Sequence, residues 1–357
     1  MTDQANQPEL SIIIPTLDER EIIAELLSTV AGQQGIDFEV IISDGGSTDG
    51  TGDCAAELAS RHRFPLKLVA SEKGRGAQMN AGVAASSGAY LLFLHADSRF
   101  EDRFALRKGV DTVAHCSQGK VIAAKFALRF ARGAASPSLG YFYYEAKGRL
   151  LRPECSHGDQ GLMMHRDTFK LMGPFETFPP MLAETRLADK IRNNGRLLLI
   201  PTEIITSVRR FESEGLYQRQ TVNAILMNCA SQGWDAPFRA ITELYRSQSC
   251  TGKLQLYPLL ETIRKLIASL PTPERSRFWR DTGSYVRYNA WQIAFLMDVR
   301  RNFKKGAEPG KGSTRILDRY DRFIAPMLDN QFFNLLATAL TWAWFNLTRL
   351  QSLVFHR

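Results

Sequence analysis

The run Tyr90-Leu-Leu-Phe-Leu94 is apolar throughout and stops abruptly at His95-Ala-Asp97. A short, unbroken apolar run suits a strand covered on both faces by helices, rather than one with a wet face. In open α/β sheets ligands bind beyond the carboxyl ends of the strands, so an acid at position 97 stands where chemistry is done. A local alternative exists: Asp97 and Ser98 are both good amino-terminal caps for a helix starting near Arg99.

The residues ahead of it repeat the pattern. Leu10 to Thr16 reads as a buried strand interrupted by Pro15, and Glu21 to Ala31 carries Ile22, Ile23, Leu26, Leu27 and Val30 at helical spacing. A second strand runs from Phe38 to Asp44, then a helix from Asp53 to His62 and a strand from Leu66 to Ala70. Strand and helix alternating at this spacing predict a parallel sheet with crossover helices. The glycine-rich loop after Asp44 is not a dinucleotide fingerprint, which follows the first strand and has an acid about twenty residues on. Asp44 would repel a pyrophosphate, but it suits hydrogen bonds from a base or ribose. Lys73 and Arg75, interleaved with Gly74 and Gly76 ahead of a helix, suit a diphosphate, the plain alternative being an exposed basic turn.

A length of 357 residues allows one large domain with an appendage, or two domains. The formal charge of +8 favours phosphate-bearing ligands or an anionic membrane surface. It is too modest to imply nucleic acid, and no nucleic-acid motif accompanies it. Cysteines 54, 116, 155, 229 and 250 are scattered with no C-x-x-C pair, which predicts neither zinc nor a disulfide framework and fits reduced thiols in the cytosol. Met1 to Glu9 is polar and acidic, so neither a secretory signal nor an amino-terminal anchor is expected.

Four motifs occur in order: Ile14-Pro-Thr-Leu-Asp-Glu19, Ser43-Asp-Gly-Gly-Ser-Thr-Asp-Gly-Thr51, Gly74-Arg-Gly-Ala-Gln-Met-Asn-Ala-Gly82 and His95-Ala-Asp97. Together they resemble the family 2 glycosyltransferases of the GT-A fold. The resemblance implies an α/β fold, with a mostly parallel central sheet and helices on both faces, over residues 1–240. Residues 241–357 would form a helical carboxyl-terminal extension. It implies transfer of a sugar from a nucleotide-diphosphate sugar to a sugar or lipid acceptor. Thr16, Asp18, Asp44 and Arg75 would bind the donor nucleotide, Asn80 and His95 would face substrate, and Asp97 would hold a divalent cation, Mg²⁺ or Mn²⁺. His95 departs from the common pattern, where an acid is usual.

Further motifs resemble one bacterial branch of that family. Ser156-His-Gly-Asp-Gln-Gly161 would lie under the donor sugar, with Asp159 in the catalytic group and Gln160 binding substrate. Ala183-Glu184 falls where the family carries Glu-Asp, which makes Glu184 the general base; the alternative is a helix-starting acid favoured by the macrodipole. In the run Ser207-Val-Arg-Arg-Phe211, Arg209 and Arg210 would clamp the diphosphate bidentately. The Gln-x-x-Arg-Trp motif of the processive synthases is missing, which favours a single transfer. A nucleotidyltransferase on a similar scaffold and a catalytically silent nucleotide or glycan binder remain as rival readings.

Strands are also expected at Val121–Phe130, Leu162–Arg166 and Gly195–Thr202, and Pro137 to Leu151 reads as a helix lining the acceptor side or as core. Leu254 to Ile267 and Ser284 to Val299 have helical periodicity, and 302–314 reads as a linker. Phe332 to Leu347 is the most apolar tract, yet its 16 residues fall short of the roughly 20 needed to span a bilayer. With Trp342, Trp344 and Arg349 it fits a docked helix, a contact between copies, or an interfacial helix. A cytoplasmic protein, peripheral at the inner face of the membrane, is the corresponding expectation.

Overall fold

A computed structural model of the chain describes residues 7–354 except 63, 117–119, 134–136 and 249–251; most of the polar amino-terminal stretch and Cys250 lie outside that set. The chain divides into two compact units, residues 1–136 with 144–207, and residues 137–143 with 208–357. The sequence-based division at 240 follows the reach of the resemblance, whereas compactness places the change at the end of the last strand.

The first unit alternates strands and helices in its first half: β1 (Leu10–Thr16), α1 (Arg20–Ala31), β2 (Phe38–Asp44), α2 (Thr51–Ala59), β3 (Leu66–Ala70), α3 (Arg75–Ala85) and β4 (Tyr90–Phe93). Then come β5 (Ser98–Arg99), α4 (Ala105–Cys116), β6 (Ile122–Ala131), α5 (Leu139–Gly148, of which only residues 144–148 fall in this unit), β7 (Leu162–His165), α6 (Arg166–Met172), α7 (Ala183–Asn194) and β8 (Arg196–Ser207). They form one eight-stranded sheet of order β3-β2-β1-β4-β7-β6-β8-β5. β1 pairs in parallel with β2 and β4, and β2 with β3, while β7 runs antiparallel between β4 and β6. The carboxyl ends of β1 to β4 therefore share one edge with the amino end of β7, because Phe93 faces Leu162.

The apolar runs explain the layering. Leu10, Ile12 and Ile14 pack with Ile23, Leu26 and Leu27 of α1 and with Leu106 and Val110 of α4 on one face. Ile13 and Phe93 turn to the other, against Met79 of α3 and Leu187 and Ile191 of α7. Helices thus cover both faces, and each fully buried Ile or Leu contributes about 1.5–3 kcal/mol. The close seat of α3 depends on Gly82, where a Cβ would collide with Ile13 and with Ser43 Oγ.

One sequence expectation changes here. No helix starts near Arg99: Ser98 and Arg99 pair antiparallel with Thr206 and Ile205 of β8, and α4 begins only at Ala105. Asp97 therefore caps nothing, and Asp102 instead accepts from the Phe104 amide at 2.9 Å. β6, expected as a strand at Val121–Phe130, is buried along almost its whole length, because Ile122, Ala124 and Phe126 pack on one face and Ala123 on the other.

The second unit is helical: α8 (Arg209–Glu214), α9 (Leu216–Ser231), α10 (Ala236–Gln248), α11 (Leu256–Ser269), α12 (Thr272–Tyr288), α13 (Trp291–Lys304), α14 (Arg315–Arg319), α15 (Ala325–Leu328) and α16 (Gln331–Val354). The periodic stretch Ser284–Val299 is not one helix, because the chain turns at Asn289 and Ala290 between α12 and α13. The apolar tract at 332–347 lies inside the longer α16, and among the described residues no helix is long and apolar enough to cross a membrane.

Candidate active site

The loops after β1 and β2 are tied to each other by acids. Asp44 accepts from Thr16 Oγ1 at 3.2 Å, Ser47 Oγ at 2.5 Å, and the amides of Gly46 and Ser47 at 3.1 and 2.9 Å. Burial raises its carboxyl, but these donors, Ser47 foremost, bring it below the ordinary range. Asp18 sits in the left-handed region with φ of 55°, held there because its amide donates to Ser47 Oγ and its Oδ1 accepts from the Thr48 amide. The structure thus brings Thr16, Asp18 and Asp44 together as the frame of one loop pair.

Gln78, which the sequence reading passed over, fastens that frame to α3. Its Nε2 donates to the Thr16 and Ser43 carbonyls at 2.6 and 3.0 Å from a buried position. A glutamine in a helix otherwise rich in glycine and alanine was the available signal. Asn80, expected to face substrate, spends both ends of its amide on the backbone of Phe175, at 2.9 Å each. Gln160 is likewise consumed internally: its Nε2 donates to the Gly148 carbonyl at 2.6 Å and its Oε1 accepts from the His157 amide at 3.1 Å.

Across the edge, Glu184 in the first turn of α7 is buried and meets two partners. His95 Nε2 lies 2.9 Å from its Oε1, and Arg75 Nη1 lies 3.6 Å from the same oxygen. Burial would raise the Glu184 carboxyl, but Arg75 first and His95 second outweigh it and bring it down to about 2. The turn at Gly158 presses directly on this pair, since a Cβ there would overlap both Glu184 Oε1 and His95 Nε2. Only glycine admits that approach, a requirement visible in the sequence as the first letter of Gly-Asp-Gln-Gly.

Asp159 follows in the same turn, with its Oδ1 enclosed and without a hydrogen-bond partner. Burial raises its carboxyl; His95 and Arg75 pull it down and the charge of Asp97 pushes it up, with a net upward shift. Asp97 itself is half-buried, and no hydrogen bond or ion pair joins its side chain to another described residue. Among the described residues no cluster of three or more His, Cys, Asp or Glu side chains converges to hold a metal.

Lys125 supports the turn from behind. From a strand position that is 1% exposed, its Nζ donates to the carbonyls of Leu150, at 3.0 Å, and of Cys155. Burial is the main reason its amine falls to about 7. A lysine inside the apolar run Val121-Ile-Ala-Ala-Lys-Phe126 is the sequence signal for it. Arg209 and Arg210 open α8 in the second unit, where both are exposed.

Residues 11–167 match the family model described as glycosyl transferase family 2. A glycosyltransferase of PGL/p-HBAD biosynthesis from Mycobacterium tuberculosis is 41% identical over 91 residues, covering 25% of this chain and 36% of the relative. Dolichol-phosphate mannosyltransferase of Pyrococcus furiosus is 35% identical over 92 residues, covering 25% and 26%. This chain thus spans only about a third of the length of the curated relatives it matches. Among solved structures, the mannosyltransferase PcManGT from Pyrobaculum calidifontis, in complex with GDP-Man and Mn²⁺, is similar at 18% identity and a TM-score of 0.48, covering 95% of this chain and 88% of that one. The match to glycosyl transferase family 2 thus lies within residues 11–167, less than half of the chain.

Proposed function

We propose that this protein transfers a hexose-type sugar from a nucleoside diphosphate sugar to an acceptor hydroxyl. The observation that carries the reading is the meeting of Arg75, His95 and Glu184, with the charges of Asp97 and Asp159 close by, at one edge of the sheet. The matched relatives named as glycosyltransferases support it.

In this reading the loops framed by Thr16, Asp18 and Asp44 receive the nucleoside, and Arg75 receives the diphosphate. Glu184 is fully ionised at neutral pH, so it accepts a proton readily in principle, but a carboxylate held near 2 is a weak base. The donor relieves this. A diphosphate competes for the Arg75 guanidinium, and as Arg75 turns to it the strongest influence depressing Glu184 is withdrawn. Glu184 then takes the proton of the acceptor hydroxyl as that oxygen attacks the anomeric carbon, while the bond to the departing diphosphate breaks. Asp159, short of one hydrogen bond, accepts from a sugar hydroxyl.

A divalent cation fits Asp97. Its carboxylate is uncommitted and lies near a second carboxylate with an unpartnered oxygen, and hard cations accept one or two carboxylates together with substrate phosphates. When bound with the donor it supplies charge neutralisation for the leaving diphosphate. The test is release of nucleoside diphosphate from a panel of nucleotide sugars, with and without Mn²⁺, followed by sugar appearing on an acceptor. Pyrophosphate release from triphosphates instead would move the chain to nucleotidyl transfer. A donor-induced rise in melting temperature with no turnover would make it a silent binder, a reading that Ala183 in place of an acid favours.

A further inference from the structure

α16 leaves most of its apolar side chains on the outside. A helix at the surface of a water-soluble domain turns its apolar face inward and its polar face to solvent. Here the inward face is largely polar, with Phe345 buried against Trp279 of α12 as its apolar anchor. Asn334 accepts a hydrogen bond from Arg287 Nε on α12, and Arg349 pairs with Glu261 of α11 at 2.9 Å. Thr338 and the Asn334 carbonyl sit so close to α12 that a Cβ at Gly283 would collide with them. The outward face carries Phe332, Leu336, Leu340, Trp344, Leu347 and Val354 at helical steps, with Phe332, Leu340 and Leu347 exposed by 68, 63 and 59%. Arg349 is the only charged residue among the 24 of this helix. The result is a charge-free apolar stripe along about 36 Å of helix, far more than scattered exposed leucines would make.

The charge of the chain is distributed to match. Residues 208–357 hold 22 Lys and Arg against 12 Asp and Glu, a surplus of ten, whereas residues 1–207 hold 23 against 25. The whole positive excess therefore resides in the part of the chain that carries the stripe. Exposed basic and apolar side chains also occur together just before it, with Arg319 and Arg322 beside Phe323, Ile324 and Met327.

We propose that α16 is an interfacial helix that seats the second unit on an anionic lipid surface, its leucine and aromatic stripe entering the headgroup boundary. Lipid fits better than a second copy of this chain, because a copy brings the same surplus of ten positive charges, while an anionic leaflet neutralises it. Trp342 and Trp344 are of the type that settles at the headgroup level. The helix lies on the surface rather than through it. This inference does not depend on sugar transfer and is tested without a donor.

The experiment is flotation of the purified full chain with vesicles of mixed phosphatidylglycerol and phosphatidylcholine, and with vesicles of phosphatidylcholine alone. Wild type should float with the anionic vesicles and bind the neutral ones at least about tenfold more weakly. The double variant Leu340→Glu, Leu347→Glu, altered only at exposed positions, should keep its melting temperature and lose anionic-vesicle binding by about a hundredfold. In Arg319→Glu, Arg322→Glu the same binding should weaken and its salt dependence shrink. Wild type staying in the aqueous phase would overturn the proposal, as would undiminished flotation of the double leucine variant. A concentration-dependent dimer that the leucine variant dissociates, with no vesicle binding, would assign the stripe to a second copy instead.

Discussion

Two sets of acids stand along one edge of the sheet, and the fold treats them in opposite ways. Asp18 and Asp44 are spent on the loops they hold together: both oxygens of Asp44 and Oδ1 of Asp18 are occupied by hydroxyls and amides. Asp97 and Asp159 are left over, one without any side-chain partner among the described residues and the other with an enclosed, unpaired oxygen. Glu184 stands between the two cases, occupied by Arg75 and His95 through contacts that a diphosphate can take over. Spent acids shape a receiving surface before the ligand arrives. Unspent ones have something to gain only when it does, so the two sets should respond differently to mutation.

The sharpest way to break that division is Glu184→Gln, which should lower turnover by about 10²–10⁴-fold while leaving the donor-induced thermal shift in place. Equal rates in variant and wild type would remove Glu184 from the chemistry. Next comes Gly158→Ala, whose methyl group must push Glu184 and His95 apart; a displacement on the order of 1 Å should cost about a hundredfold in turnover. Donor affinity should change little, and an unchanged kcat would show that the corner tolerates rearrangement.

Asp97→Asn and Asp44→Asn form the direct comparison. The first should raise the cation concentration needed for half-maximal donor binding by roughly tenfold without moving Tm. The second should leave the cation dependence alone and destabilise the fold by about 1–3 kcal/mol, because buried donors lose a charged acceptor. If both variants behave alike, the distinction between spent and unspent acids fails. The smallest effect concerns Glu39, which is buried among Ser11, Ser87 and Lys67. Burial opposes its ionisation, but Lys67 and the serine donors lower it from 4.5 to about 2. A depressed carboxylate contributes its stability in full above 4.5 and loses it as pH falls through 2, so Glu39→Gln should flatten the acid limb of the stability curve by on the order of 1 kcal/mol.

Much of this was legible in the residues. Period and punctuation gave the alternating strands and helices, and the position of acids at strand ends gave Asp44 and Asp97, because both follow from local chemistry. Less legible was what a polar side chain does once the chain has closed around it. Asn80 and Gln160 look like recognition groups in a linear motif, yet each is consumed by a carbonyl brought near from a distant segment. Gln78 and Lys125 present the reverse case, polar residues in apolar settings whose partners are main-chain atoms that no motif encodes. The false helix at Arg99 has a related cause: its cap-like residues are real, but pairing with β8 competes for the same backbone.

Lys125 carries one further consequence, for how the protein exchanges protons with its buffer. Its amine is held at about 7 in the folded chain and returns to about 10.5 when the chain opens. Between those values the open chain is the more protonated, so this residue alone makes stability climb with alkalinity, opposite to the trend set by a lysine in a salt bridge. Calorimetric melting in mildly alkaline solution should then show an uptake of about one H⁺, read as a dependence of the measured heat on the ionisation enthalpy of the buffer.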